Sequence, residues 1–177
     1  IDAAGNMVSC TKTINHFFGS GITASGTGVL LNDQMDDFDK RPGQANSIAP
    51  FKKPLSSMSP TLLLKDGKPF ASLGTPGGKR IIPTVALLIG NLVDYGMDIQ
   101  AAIEAPRIAN YESGELKLEA RIPAEVQLTL LTKGHELDVR KDFDLFFGGA
   151  QGIVIDQKSG ALHGGADPRR DGRAIGY

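Results

Sequence analysis

The sequence predicts an α+β fold in which sheets pack against helices in layers. Three observations carry this. Strand-rich segments gather towards the two ends of the chain, hairpin-length turns separate two pairs of them, and helical periodicity falls between them in consecutive blocks. A parallel doubly wound sheet would instead alternate strand with helix. The 177 residues, 41% of them apolar, suffice for one domain spanning 1–177 with its own core.

In chain order, residues 2–6 read as a turn and residues 7–14 as a first strand, with polar partners at Ser9, Thr11 and Thr13. Residues 15–21 break that pattern, and residues 27–31 form another short strand. Residues 32–54 are loop-like, with Asp36, Asp37 and Asp39 followed by Lys40-Arg41-Pro42-Gly43; so long a loop marks a functional or mobile segment. Residues 61–65 and 69–73 then flank Asp66-Gly67, a turn dipeptide, and make a hairpin that brings the serines before it and the glycines after it to one end. Ile81, Ile82, Val85, Leu88, Ile89, Leu92 and Val93 recur at helical spacing, with Pro83 in the first turn and Gly96 as the stop. That helix should be buried. Asp98 can cap a second helix running to Ala105 and ended by Pro106. Residues 115–119 alternate as an exposed strand, Pro123 opens a helix closed by Gly134, and residues 152–156 and 161–166 form a second hairpin.

With 19 basic and 20 acidic residues the net charge is -1, which gives no support to a nucleic-acid or anionic-membrane surface. The single cysteine, Cys10, reads as a buried structural thiol and cannot pair internally. The longest apolar run, near residues 81–93, is too short to cross a bilayer. A chain that opens Ile1-Asp2-Ala3-Ala4-Gly5-Asn6, with neither an initiating methionine nor a signal peptide, reads as part of something longer.

Several chemistries can be weighed on the residues themselves. Gly77-Gly78-Lys79-Arg80 suggests an anion site, but a phosphate-binding P-loop needs glycine where Leu73 stands and serine or threonine where Arg80 stands, so a tight strand-to-helix connection is favoured. His16, His135 and His163 have no ligand spacing, and the oxygens of residues 32–37 lack a calcium loop's glycine and final glutamate; no metal is expected. Ser56 and Ser57 lack the Gly-x-Ser-x-Gly elbow of a nucleophile. Gln34 and Asp37 are able to grip an ammonium group jointly, although by spacing alone that is the minority reading.

Asp2-x-x-Gly5-Asn6-x-Val8-Ser9, Thr13-x-Asn15, Phe18-Gly19-Ser20-Gly21, Gln34-Met35-Asp36-Asp37-Phe38, Pro54-Leu55-Ser56-Ser57-Met58-Ser59-Pro60-Thr61, Gly74-x-Pro76-Gly77-Gly78, Ala105-Pro106-Arg107 and Asp167-Pro168-Arg169 occur in that order. Together they resemble the small subunit of the γ-glutamyltranspeptidases over nearly the whole chain. The resemblance implies a four-layer αββα sandwich of the N-terminal-nucleophile hydrolase type, completed by a large subunit cut from the same precursor. It also implies a γ-glutamyl hydrolase or transferase, without cofactor, exported to the periplasm or the cell exterior. Carried over, Thr13 would bond the nucleophile's hydroxyl and the Gly77 and Gly78 N–H groups would form the oxyanion hole. Asn15, Gln34 and Asp37 would hold the donor's α-amino end, and Ser56 and Ser57, with a large-subunit arginine, its α-carboxylate. The family's nucleophile is a threonine that opens its small subunit, ahead of the block at Asp2, so no residue from Ile1 onward fills that role. Residues 38–54 are shorter than in relatives that fold a lid over bound glutamate, which implies an open pocket, bulky donors such as poly-γ-glutamate, and hydrolysis over transfer. Two alternatives stand beside this: an inactive glutamyl-binding homologue, and a cephalosporin-acylase-like amidase of the same superfamily.

Overall fold

A computed structural model describes residues 1–110 and 114–176. They form two compact units, Ile1–Thr11 with Met58–Tyr177, and Lys12–Ser57.

The first unit is built on an antiparallel sheet of strands β1 (Thr61–Lys65), β2 (Lys68–Gly74), β6 (Gln151–Ile155) and β7 (Leu162–Ala166), in the order β1-β2-β6-β7. The predicted turn joins β1 to β2, with Asp66 and Gly67 at φ 53° and 75°, the left-handed pair that a two-residue hairpin needs. Thr61 pairs with Leu73, so the entrance of β1 and the exit of β2 share one end of the hairpin. Helices α1 (Ile81–Val93) and α2 (Ile99–Glu104) cover one face of the sheet. Leu88 and Leu92 of α1 and Ile99, Ala102 and Ile103 of α2 pack with Ala71, Leu73 and Ala150 in the core. Gly152 and Gly165, partners across β6 and β7, let α2 approach closely: a Cβ on Gly152 would lie 2.7 Å from Ile99 Cδ1. Asp98 caps α2 as expected, accepting from the Ala101 N–H at 2.8 Å.

A second sheet, β3 (Ile108–Asn110), β4 (Leu116–Glu119) and β5 (Leu137–Arg140), lies in the same unit, with β5 parallel to β4. Helix α3 (Ala124–Thr132) connects its last two strands. The expectation of an exposed strand at 115–119 is corrected here. β4 is the middle strand, so Leu116 and Leu118 are buried, and Glu119 is buried because two arginines neutralise it. Short β3 and β5 carry too little alternation to be recognised in the sequence.

Two further expectations fail for related reasons. Residues 7–14 do not enter a sheet: Ser72 Oγ donates to the Val8 carbonyl at 2.9 Å, and Ser9 Oγ donates to the Leu73 carbonyl at 2.5 Å while accepting from the Thr61 N–H at 3.2 Å. Hydroxyls thus replace the backbone ladder. Cys10, expected to be buried, is consequently exposed.

The second unit is mostly irregular. In place of a strand at 27–31 it has one antiparallel bridge, Thr23 to Leu30, and residues 32–54 contain a single 3-10 turn, Gln34–Asp37. Among the described residues no helix is long and apolar enough to cross a membrane.

Candidate active site

Within Lys12–Ser57 the polar residues singled out from the sequence sit on segments tied together by short hydrogen bonds. Asn15 occupies a left-handed turn at φ 74°, where its N–H is accepted by Thr13 Oγ1 at 2.9 Å. That turn is stapled to Asp33 by four contacts: Asp33 N–H to the Ile14 carbonyl at 3.2 Å, Asn15 Nδ2 to the Asp33 carbonyl at 3.5 Å, His16 N–H to Asp33 Oδ1 at 3.1 Å, and His16 Nδ1 to Asp33 Oδ2 at 2.6 Å. The hydrogen bond to Asp33, reinforced by its charge, holds the His16 imidazolium above the usual histidine value. Asp33 immediately precedes the 3-10 turn that carries Gln34 and Asp37.

Inside that turn Gln34 Nε2 donates to Asp37 Oδ2, which uses one of the amide's two N–H groups and leaves its carbonyl oxygen for an outside donor. Buried Phe38 closes the turn. Asn46, which nothing in the sequence marked, donates from Nδ2 to the Asp37 carbonyl at 2.6 Å and accepts the Leu55 N–H on Oδ1 at 3.0 Å. Leu55 is the residue before Ser56. Thr13, Asn15, Gln34 and Asp37 are therefore brought together, and the serine pair is tethered to them within one unit.

Gly77 and Gly78 belong to the other unit, between β2 and α1. Gly77 has φ 143° and Gly78 φ 57°, and a single 3-10 turn, Gly78–Arg80, leads into α1. Behind this loop runs a strap of residues 147–150. Thr75, 3% exposed, accepts the Gly149 N–H at 3.2 Å and donates to the Pro76 carbonyl at 2.8 Å. The Gly148 Cα would lie 3.5 Å from a Cβ on Gly77. Because the Pro76 carbonyl and the Gly77 N–H belong to one trans peptide plane, Thr75 fixes the direction in which that N–H points, away from its own hydroxyl. The Arg80 guanidinium stacks 4.4 Å from the Phe146 ring and holds the loop's far end.

The strap is anchored in turn by a buried charge network. Arg107 donates to the Phe147 carbonyl at 2.7 Å, to the Ile103 carbonyl at 2.8 Å and to Asp167 Oδ2 at 2.5 Å. Asp167 also accepts the Ala150 N–H at 2.7 Å and Arg169 Nη1 at 3.1 Å, and Arg169 forks onto Glu119 at 2.5 and 2.8 Å. Burial, with the Arg169 charge second, pushes the Arg107 guanidinium down to about 10, which leaves it charged at neutral pH. Arg107 and Asp167-Pro168-Arg169 stood among the family-like blocks, so a signal for them existed but no role. Among the described residues no group of three or more His, Cys, Asp or Glu is placed to hold a metal ion.

The layered α+β architecture, with a glycine pair leading from a hairpin into a helix that packs one face on the sheet and leaves Ile82 and Val93 exposed, is that of the N-terminal-nucleophile hydrolases, and solved structures of that class superpose on it. The chain belongs to the γ-glutamyltranspeptidase family, whose model, described as Gamma-glutamyltranspeptidase, matches residues 1–177. It is 42% identical over 175 residues to a glutathione hydrolase proenzyme of Bacillus subtilis (strain 168), covering 99% of this chain and 29% of that protein. It is also 42% identical over 174 residues to the acylase ACY 1 proenzyme of Pseudomonas sp. (strain SE83), covering 98% of this chain and 30% of that protein. The structure of the Helicobacter pylori γ-glutamyltranspeptidase T380A mutant matches with a TM-score of 0.88 at 39% identity, over 96% of this chain and 97% of that one. The chain thus spans only about a third of the length of the curated relatives it matches.

Proposed function

We propose that the complete protein is a γ-glutamyl hydrolase or transferase in which this chain is the small subunit of an autoprocessed precursor and a large subunit from the same precursor completes the site. The observation that carries this reading is the grouping, within Lys12–Ser57, of Asn15, Gln34 and Asp37 with the tethered pair Ser56-Ser57. A glutamyl head group is a zwitterion. It needs an anion and neutral acceptors beside its ammonium and hydroxyl or N–H donors beside its carboxylate, and this one stretch carries both sets. Exposed Leu62 and Leu64 on β1 suit a covering partner.

In the proposed mechanism a threonine ahead of the Asp2 block attacks the donor's γ-carbonyl carbon, and its own α-amine takes the hydroxyl proton. Thr13 Oγ1 already accepts from Asn15, so its proton is available to the nucleophile's oxygen. The Gly77 and Gly78 N–H groups receive the developing oxyanion, a donor of this kind being worth ~3 kcal/mol. Collapse of the tetrahedral intermediate breaks the C–N bond, the leaving amine takes the proton, and the resulting γ-glutamyl ester passes its acyl group to water or to an acceptor amine. Sequencing the mature N-terminus and assaying the complete protein with γ-glutamyl-p-nitroanilide tests this: a free threonine with turnover supports it, and an uncleaved chain without turnover refutes it.

The 42% identity to an acylase proenzyme favours a second reading, an amidase acting on glutaryl-type donors. Asp37 argues against it, because a glutaryl group has no α-amine to bind. Relative turnover of glutaryl and γ-glutamyl amides decides between the two.

A further inference from the structure

We propose that Asn46 is a positioning residue that sets the spacing between the two ends of the glutamyl head site, and that it governs donor affinity rather than the chemical step. The proposal rests on reading Asp37 with Gln34, and Ser56 with Ser57, as those two ends.

One side-chain amide joins them. Its Nδ2 reaches the carbonyl of Asp37, the last residue of the 3-10 turn, and its Oδ1 takes the N–H of Leu55, one residue before the serines. The amide is planar and rigid, so when both contacts are made the separation of those two backbone positions is fixed. The bridging residue is itself held. Its carbonyl accepts the Asp39 N–H at 2.9 Å, and Asp39 bridges in parallel to the adjacent Ser47. Ser47 Oγ donates to the Arg41 carbonyl at 2.5 Å and accepts the Gln44 N–H at 2.7 Å, while Arg41 forks onto Asp39 at 3.0 and 2.8 Å. Residues 39–47 form a braced loop with Asn46 as its projecting strut.

The ligand explains why spacing matters. The ammonium and the carboxylate of a glutamyl group are attached to the same carbon, so the groups that bind them must be placed to within a few tenths of an ångström; a donor lacking one of the two charges imposes no such demand. Asn46→Leu keeps the branched outline of the side chain, at a somewhat larger volume, and removes both contacts. In the complete two-subunit protein we expect it to raise KM for L-γ-glutamyl-p-nitroanilide about tenfold, on the order of one lost hydrogen-bonded contact, with kcat within about twofold. The inhibition constant of the corresponding glutaryl anilide, which has no α-amine, should move by less than about twofold. Asn46→Asp, which keeps the acceptor for Leu55 but loses the donor to Asp37, should shift KM in the same direction and stands in if the leucine variant does not mature.

Equal losses for both ligands, or a fall in kcat with KM unchanged, overturn the proposal, because they assign Asn46 to general folding or to the reacting centre. Asp37→Asn and Ser57→Ala run in parallel. If neither raises KM for the glutamyl donor, the head-site reading itself has failed. If both raise it and Asn46→Leu does not, only the positioning role has failed.

Discussion

Replacing Asp167 with asparagine should cost far more stability than one lost charge suggests. The Asp167 carboxylate is fully buried and accepts four hydrogen bonds, from Arg107 Nη2, Arg169 Nη1, the Arg169 N–H and the Ala150 N–H. Two of these, from Arg107 and Ala150, converge on Oδ2, so whichever way an asparagine amide is placed its NH2 group faces donors instead of accepting them. The substitution also leaves Arg107, itself nearly inaccessible, beside Arg169 without its carboxylate partner. Breaking a buried pair by removing one partner costs about 3–5 kcal/mol. The relatives are about three times as long as this chain, so at roughly 1 °C per kcal/mol for a protein of that size the melting midpoint should fall by about 4 °C. Scanning calorimetry of the complete protein and the variant at one scan rate measures this. A double-mutant cycle with Arg107→Met should show the two losses to be non-additive by at least about 1 kcal/mol, since the second change removes the charge the first one stranded. A midpoint within about 2 °C of wild type, or strict additivity, would refute the view that Asp167 is the counter-charge on which this network depends.

Two other perturbations follow from the site geometry. Thr75→Val keeps the shape of a buried side chain but removes the hydroxyl that holds the Pro76–Gly77 peptide plane; we expect kcat for γ-glutamyl-p-nitroanilide to fall about tenfold or more with little change in KM, and Thr75→Ser to restore it, whereas an unaffected kcat would show that the plane needs no such support. The second concerns pH. His16 has its folded-state value raised by Asp33, so the charged contact is complete below the unfolded value near 6.5 and is lost as pH rises through the folded one. NMR titration of ring-labelled histidine in the complete protein should place the His16 midpoint above 6.5 and Asp33→Asn should lower it; a wild-type midpoint at or below 6.5 contradicts the contact.

Elements governed by local rules were legible in the sequence. The Asp66-Gly67 turn, the α1 periodicity ended near Gly96, and the Asp98 cap all rest on residues close in the chain, and the structure repeats them. What escaped was decided by distant partners. Residues 7–14 have the composition of a strand, yet hydroxyls from Ser9 and Ser72 divert the bonding of its first half; Glu119 looks like a surface charge until Arg169 and Arg121 are placed beside it. The site shows the same division. Family-like blocks picked out Asp37 and Gly77, whereas Asn46 and Thr75 make contacts with those segments that their neighbours in sequence do not announce.

The confinement of Asn15, Gln34, Asp37, Ser56 and Ser57 to one uninterrupted stretch of chain has a consequence for variation in this family. A stretch held by turns and side-chain bonds, with no shared strand to keep in register, can gain or lose residues at little thermodynamic cost, since doubling a loop's length costs only about 0.6 kcal/mol. If these residues hold the donor's head group as proposed, donor range can drift by insertion and deletion between Phe38 and Pro54, and the segment could be exchanged as a cassette between relatives. On the positioning role proposed for Asn46, the limit on such exchange is whether the incoming loop still presents an amide where that residue now stands.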